Sequence, residues 1–160
     1  MSGKVRIIRW HPDYRDDFVR LNKAWIERFF RLEPGDLRLF ADPEVEIIRP
    51  GGEIFFAQRD DGRIVGCCAL VFHPETGRYE LAKMAVDVRM QGRGIGFRLG
   101  TALLEYACER HVGRIFLEAN TRLAASVALY RKLGFRESRC GAATYERCNL
   151  VMEYVMDQLL

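Results

Sequence analysis

Apolar residues recur at two different spacings along this 160-residue chain, and these spacings predict both helices and strands. After Pro12 they recur every three to four residues, which is the period of a helix with one buried face. The apolar face of this predicted helix consists of Tyr14, Phe18, Leu21, Trp25 and Phe29. The same spacing predicts helices over residues 95–110 and 124–133, which Gly113 and Gly134 are placed to end.

Strands are predicted where apolar residues alternate with polar ones or form short uninterrupted runs. Such segments cover residues 5–10, 54–58, 64–72, 78–86, 114–120, 135–138 and 149–156. Asp60-Asp61-Gly62 predicts a hairpin between the second and the third of them. A short helix is predicted over residues 37–40, between Glu33-Pro34-Gly35-Asp36 and Asp42-Pro43, which are expected to interrupt helices. This mixture indicates an α+β fold, with helices on both faces of one sheet, in a single domain over residues 1–160.

Composition and charge narrow the functional classes. Hydrophobic residues make up 49% of the chain, and the formal net charge is only +3, with no basic run typical of nucleic-acid-binding proteins. No apolar stretch reaches the length of a membrane span, and the N-terminus lacks the pattern of a signal peptide. The five cysteines form no C-x-x-C pair, which favours reduced thiols over disulfides or zinc ligands. We therefore expect a cytoplasmic protein with no nucleic-acid, membrane or metal partner.

The most informative segment precedes the helix that is predicted to begin at residue 95. A predicted strand runs into a short turn with glycine at three alternate positions, Gly92, Gly94 and Gly96. Glycine lets the backbone approach a ligand closely, and the first amides of a helix favour negative charge. Together they predict an anion cradle, most naturally for a pyrophosphate. A dinucleotide-binding turn would need a glycine at Phe97 or Leu99, and a Walker loop would need a Lys-Ser or Lys-Thr pair.

The spacing Gln91-x-x-Gly94-x-Gly96 resembles the acyl-CoA-binding motif of the GNAT superfamily of N-acetyltransferases. Upstream, residues 79–86 are similar to the fourth strand of that family. Downstream, residues 114–120 resemble its fifth strand, and residues 125–135 resemble its fourth helix and the turn after it. Because four elements occur in the order and spacing of the family, the chain is identified as a member of it. The resemblance implies a mixed, mostly antiparallel sheet of about seven strands.

Three segments are also similar to the acetyltransferase half of bacterial proteins that join a MarR-type regulator to a GNAT domain. These segments are Ala24-Trp25-Ile26, residues 80–84 and Tyr145-Glu146-Arg147. The sequence contains no helix-turn-helix portion, so this resemblance implies no binding to DNA.

The family resemblance implies transfer of an acetyl group from acetyl-CoA to a primary amine of a small molecule or peptide. Backbone amides of the glycine-rich loop would bind the pyrophosphate of the cosubstrate, with added charge from Arg89 or Arg93. The residues of this loop are Gln91, Gly92, Arg93, Gly94, Ile95 and Gly96. The backbone of Met84, Ala85 and Val86 would pair with the pantetheine arm in the manner of an added strand. Asn120 and Ser126 would lie near the same arm, although Asn120 is equally suited to capping a helix.

Two side chains are candidates for the proton transfers of this reaction. By resemblance to the histone-acetylating branch of the family, Glu80 would be the general base, and partial burial would raise its pKa toward the useful range. An ordered water is the alternative base, and pairing with Lys83 or an arginine is the alternative role of this carboxylate. Tyr130 stands where the family places the acid that protonates the leaving thiolate, and a phenol can donate such a proton. Its alternative role is packing within a helix face.

Other polar residues near these segments receive non-catalytic interpretations. His73 precedes a proline in a predicted turn and is expected to be solvated. Lys83 in a central strand needs a carboxylate partner, for which we consider Glu118. Three acidic residues lie close together in the segment after the first predicted helix, namely Glu33, Asp36 and Asp42. They would either form a rim that suits a cationic amine or lie in a solvated loop.

Two other functions remain open at this stage. One is a non-catalytic CoA-binding sensor or scaffold with the same fold. The other is a nucleotide-binding oxidoreductase, in which Glu118 would be the ribose-binding acid. The identity of the amine and the formation of a homodimer are left undecided by the sequence.

Overall fold

The fold of this chain is a single seven-stranded sheet with helices on both faces, as seen in a computed structural model that describes residues 4–138 and 143–156. The strands are β1 (Val5–Arg9), β2 (Glu53–Arg59), β3 (Ile64–His73), β4 (Arg78–Val86), β5 (Arg114–Ala119), β6 (Arg136–Glu137) and β7 (Leu150–Val155). Their order in the sheet is β1-β2-β3-β4-β5-β7-β6. All neighbours are antiparallel except β4 and β5, which are parallel. The predicted α+β fold class is confirmed.

Four α-helices cover the two faces of this sheet in the described part of the chain. They are α1 (Arg15–Phe29), α2 (Pro34–Ala41), α3 (Ile95–Glu109) and α4 (Ala124–Leu133). One apolar core lies between the sheet and α3 with α4, and it includes Leu99, Leu103 and Phe135. A second core lies between the sheet and α1 with α2, and it includes Phe18 and Phe40. Because both faces are buried, the strands at the centre read as nearly continuous apolar runs.

The region around α2 is more helical than predicted. Pro34 was expected to break a helix but occupies its first turn, where its missing N–H costs no hydrogen bond. Glu33 and Asp36 form a reciprocal capping box at the same end. After Asp42 the chain continues at once into a π-helical turn over Glu44–Ile48.

The end of α3 also differs from the prediction. The helix ends at Glu109, and His111 takes the left-handed backbone conformation with φ 60°. Gly113 is not the capping residue, because it lies two residues after His111 and its φ is not positive. Gly134, by contrast, ends α4 with φ 113° as expected.

The four cysteines in the described part of the chain are free thiols, and Cys140 lies outside the described residues. No helix among the described residues combines the length and the apolar character needed to cross a membrane.

Candidate active site

A cleft opens in the middle of the sheet because β4 and β5 diverge. Among the described residues, these strands pair only at Tyr79 with Ile115 and at Glu80 with Phe116. Beyond these positions the two strands no longer pair with each other, although β4 still pairs with β3 and β5 with β7. The edge of β4 beyond Glu80 therefore faces the cleft. An unpaired strand edge of this kind offers N–H and C=O groups to a ligand.

A bulge in β4 helps to turn this strand away from its neighbour. Between Cys67–Ala85 and Ala69–Ala82, β4 contains one residue more than β3. The extra residue is Lys83, whose φ is 55°, a left-handed conformation that is uncommon outside glycine. Such bulges disrupt pairing locally and bend the strand.

The glycine-rich loop lies at the end of β4 and leads into α3. Gly92 and Gly94 have φ 77° and 76°, and Gly94 is the N-cap of α3. A Cβ added at Gly96 would lie 3.0 Å from Leu129 Cδ2 on α4, so a larger residue there would press on the Leu129 side chain. The side chain of Gln91 donates a hydrogen bond to the carbonyl of Val86 at 3.2 Å, which fixes the turn.

A groove runs from this loop to the cleft, between the N-terminal ends of α3 and α4. Its lining contains nine of the eleven residues predicted to bind the cofactor, namely Met84, Ala85, Val86, Gln91, Gly92, Gly94, Ile95, Gly96 and Ser126. Asn120 lines the adjoining cavity of the cleft instead. Arg93 lines a separate neighbouring cavity with other arginines, Arg59, Arg63 and Arg89. The structure therefore brings together most of the predicted cofactor residues but places Arg93 outside the groove.

The groove and the cleft cavity are continuous, because they share lining residues from two helices, one strand and the turn before α4. The shared residues are Trp25, Met84, Leu123, Ser126 and Tyr130. Glu80 lines the cleft cavity from β4, and Tyr130 lines it from α4. Both residues predicted to transfer protons thus face the same space.

Tyr130 is partly buried on α4 and packs against Phe135, with ring centroids 6.3 Å apart. Burial raises the pKa of its phenol well above 10, and the nearby Cys68 and Cys148 thiols add to this effect. The phenol therefore keeps its proton at neutral pH and can act as a donor, but not as a base.

Glu80 is only 7% exposed, and its partner is a histidine. Its Oε1 lies 2.9 Å from Nε2 of His73, at the end of the neighbouring strand β3. The hydrogen bond to Glu80 raises the pKa of His73, against the opposing effect of burial, and the charges of Glu80 and Glu75 raise it further. The expectation that His73 is solvated was wrong, because pairing of β3 with β4 brings the two side chains together.

Lys83 is held by a carboxylate other than the one expected. Its Nζ lies 2.7 Å from Asp36 Oδ1 on α2 and 3.2 Å from the hydroxyl of Tyr145. Arg147 donates two hydrogen bonds to the same carboxylate at 2.6 and 2.7 Å. Glu118 instead accepts hydrogen bonds from the backbone of Thr144 and Tyr145.

Asp36 is therefore part of a buried ionic cluster rather than of an acidic rim. Its side chain is 0% exposed, and those of Lys83 and Arg147 are 4% and 11% exposed. Burial would raise the pKa of Asp36, but the bond from Arg147 and the charge of Lys83 lower it to about 2. The cluster closes one wall of the cleft, since Lys83, Tyr145 and Arg147 all line the cavity.

Asn120 has two hydrogen bonds within the protein. Its Oδ1 accepts from the backbone N–H of Arg122 at 2.8 Å, and its Nδ2 donates to the carbonyl of Arg147 at 2.6 Å. The residue stabilises the turn before α4, but it does not cap that helix, whose N-cap is Leu123. Among the described residues, no group of three or more His, Cys, Asp and Glu side chains is arranged to hold a metal ion.

The chain is similar in sequence to known proteins over part of its length. Over 96 residues the chain is 36% identical to N-acetylaspartate synthetase of Homo sapiens, which is 60% of this chain but 32% of that protein. It is 37% identical over 84 residues to the N-alpha-acetyltransferase RimI of Mycobacterium tuberculosis, or 51% of each chain. The chain thus matches about a third to a half of the length of these curated relatives.

Solved structures share the whole fold at lower identity. An acetyltransferase of the GNAT family from Staphylococcus aureus Mu50 superposes with a TM-score of 0.86 at 19% identity, over 96% of this chain and 100% of that one. The protein yncA from Salmonella typhimurium, solved with its cofactor acetyl-CoA, gives 0.75 at 18% identity, over 99% and 97%. The model of the acetyltransferase (GNAT) family matches residues 8–135, which is most of the chain. The chain therefore belongs to the acetyltransferase (GNAT) family.

Proposed function

We propose that this protein is a single-domain N-acetyltransferase that moves an acetyl group from acetyl-CoA to a primary amine in a ternary complex. The observation that carries this proposal is the continuity of the glycine-rich groove with a cavity that contains both Glu80 and Tyr130. Acetyl-CoA in the groove would place its thioester at the junction of the two spaces. Family membership and the acetyl-CoA found in yncA support the choice of cosubstrate.

Each proton in the reaction has a group to receive or supply it. Glu80, directly or through a water, takes the proton of the acceptor ammonium, and the free amine attacks the thioester carbon. A backbone N–H near Ala85 on the open edge of β4 stabilises the oxyanion. The carbon–sulfur bond then breaks, and the Tyr130 phenol donates its proton to the leaving thiolate.

The cofactor roles follow from the same placement. Gln91 to Gly96 would bind the pyrophosphate through backbone amides, and Met84 to Val86 would pair with the pantetheine arm. Ser126 lines the junction, and Asn120 lines the cleft beside it. Arg93 would contribute only long-range charge, because it lies outside the groove.

Several finer statements are part of the proposal. The acceptor is a small-molecule or peptide amine, and the named relatives that support this range are an N-acetylaspartate synthetase and an N-alpha-acetyltransferase. The similarity to the acetyltransferase half of MarR fusion proteins, the cytoplasmic location and a homodimer remain predictions. A non-catalytic CoA sensor is the alternative, but it would not need an acid and a base facing one cavity.

The test is release of CoA thiol from acetyl-CoA across a panel of amines and peptides, with the wild type and Tyr130→Phe. We expect turnover with one acceptor class, and a loss of kcat of about 100-fold in the variant with unchanged CoA affinity. Tyr106→Phe is the matched control, because this tyrosine packs on α3 against Phe55 away from the cleft. CoA binding without turnover on any acceptor would support the sensor, and no CoA binding at all would refute the proposal.

A further inference from the structure

A chain of three side chains leads from the cleft to the protein surface. Glu80 is buried, His73 is 31% exposed at its side chain, and Glu75 is 69% exposed. The contacts run Glu80 Oε1 to His73 Nε2 at 2.9 Å and His73 Nδ1 to Glu75 Oε1 at 3.4 Å. Each ring nitrogen of the histidine therefore faces a different carboxylate, one inside and one outside.

Glu80 forms part of the wall between two spaces. It lines the cleft cavity and also a second cavity of about 610 Å³ on the α2 side, which His73 and Glu75 line as well. The other charged or titratable groups that face this second cavity are Glu33, Arg38, Glu46 and Tyr145. On its far side, His73 lies 5.8 Å from the ring of Phe116, which Arg78 covers at 4.2 Å.

We infer that His73 takes the acceptor's proton from Glu80 and passes it out of the cleft on the side of Glu75. This inference rests on the proposed function, because it assigns an exit to the proton that the base removes. His73 acts through Glu80 and is therefore a positioning residue. Its hydrogen bond also holds the carboxylate of Glu80 in a fixed orientation within β4.

The transfer balances as a movement of one proton. The N–H bond of the ammonium breaks as an O–H bond forms on the Glu80 carboxylate. In the Nδ1–H tautomer of neutral His73, the lone pair on Nε2 then takes the carboxyl proton, which regenerates the carboxylate and forms an imidazolium whose Nε2–H donates to it. The imidazolium loses a proton on its Nδ1 side, toward Glu75 or water, and no electrons are exchanged. After the Nδ1 proton has left, proton exchange with water returns the ring to the Nδ1–H tautomer before the next transfer.

The direction of the pH dependence follows from this scheme. Only the neutral imidazole can accept a proton, and the two glutamates raise the pKa of His73, with burial opposing them. The value of kcat/KM for the acceptor should therefore rise as the pH increases through the raised pKa of His73. Arg38 lines the same cavity and Arg78 covers the ring of Phe116, whereas the hydrogen-bonding and ion-pair partners of the imidazole are the two glutamates.

The test uses His73→Ala in the full chain, with the acceptor found for the wild type. We expect kcat at neutral pH to fall about tenfold, less than for loss of the base itself, and the limb of the pH profile that belongs to His73 to disappear. Added imidazole should restore the rate in proportion to its neutral form, and substituted imidazoles should rank by their basicity. His11→Ala is the matched control, because His11 is exposed and lies near Tyr14 at the start of α1.

His73→Asn provides a second variant that keeps a hydrogen-bonding side chain but carries no proton. It should fold as the wild type does, by circular dichroism, and still lack the pH limb. Wild-type turnover with an unchanged pH profile in both variants, or a slow His73→Ala that imidazole does not rescue, would overturn the inference alone. Failure of the wild type to release thiol with any acceptor would instead overturn the proposed function, and the inference with it.

Discussion

Replacement of Asp36 by asparagine should strongly destabilise the protein, because this carboxylate is the shared partner of two buried cations. The side chains of Lys83 and Arg147 are only 4% and 11% exposed. Asparagine keeps the size of the side chain but removes the charge that offsets them. Removing one partner of a buried ion pair costs about 3–5 kcal/mol. We expect the lower end of this range, since Arg147 keeps a second carboxylate, Glu33, at 3.2 Å.

The effect of pH gives an independent magnitude for the same carboxylate. Burial alone would raise the pKa of Asp36, but its bonds to Arg147 and Lys83 lower it from 3.8 to about 2. A shift of nearly two pKa units corresponds to about 2 kcal/mol of stability. Because the folded-state pKa is depressed, this contribution is present above the unfolded pKa and is lost as pH falls toward about 2. Protonation of Asp36 should lower the free energy of unfolding less than the asparagine substitution does, since the carboxyl group keeps both of its oxygens.

The assay is urea unfolding of the wild type and Asp36→Asn, followed by circular dichroism at several pH values. The difference in the free energy of unfolding should be about 3 kcal/mol at neutral pH and should narrow by about 2 kcal/mol between about pH 5 and about pH 2. Glu27→Gln is the matched control, because Glu27 is an exposed carboxylate on α1 and should change stability by less than about 0.5 kcal/mol. A variant as stable as this control, or a difference that does not depend on pH, would refute the reasoning.

Three further substitutions test the groove and the elements around it. Gly96→Val should weaken CoA binding measured by calorimetry, because a Cβ there would lie 3.0 Å from Leu129 Cδ2 and the valine would displace this side chain, which lines the groove. Gly134→Ala should lower the free energy of unfolding by at least about 1 kcal/mol in urea titrations. Its φ is 113°, and a Cβ would lie 2.8 Å from the ring of Tyr154. Lys83→Met should cost less than Asp36→Asn in the same titration, because the carboxylate keeps its two bonds from the arginine.

The controls for these variants are glycines at which an added Cβ would contact no other atom. Gly62→Ala and Gly77→Ala also substitute at positive φ, but nothing lies within 4 Å of the added Cβ, so they isolate the backbone cost. CoA affinity in Gly96→Val equal to the wild type would contradict the close approach at the groove. Gly134→Ala no less stable than these controls would contradict the contact with Tyr154, and a larger loss for Lys83→Met than for Asp36→Asn would contradict the ranking of the two partners.

The sequence predicted the glycine-rich loop because all of its determinants are local. Strand, turn and helix follow each other within about twenty residues, and the glycines with positive φ carry their own conformational signature. The α2 region was predicted less well for a related reason. Pro34 can either break a helix or begin one, and the capping box between Glu33 and Asp36 is what selects the second outcome.

The partners of the buried charges could not be predicted from neighbouring residues. Asp36 and Arg147 are 111 positions apart, and Asp36 and Lys83 are 47 apart, so only the packing of α2 against the sheet joins them. The position of Lys83 in a central strand correctly predicted a carboxylate partner, since a buried ammonium needs one, but it did not identify that carboxylate. His73 gave a weaker signal, because a histidine before a proline in a turn is common in solvated loops.

The bulge, the ionic cluster and the open edge of β4 depend on one another. With the extra residue Lys83 in β4, Leu81 and Met84 pack on the α3–α4 side while Ala82 and Ala85 pack on the other. A left-handed lysine costs about 1 kcal/mol and burying its charge costs more, and the ion pair with Asp36 and the hydrogen bond to Tyr145 offset these costs. The same carboxylate fixes Arg147, whose carbonyl accepts a hydrogen bond from Asn120 at the end of β5. The cluster thus links α2 to β4 through Lys83 and, through Arg147 and Asn120, to the turn after β5, so both sides of the cleft are joined to the same helix.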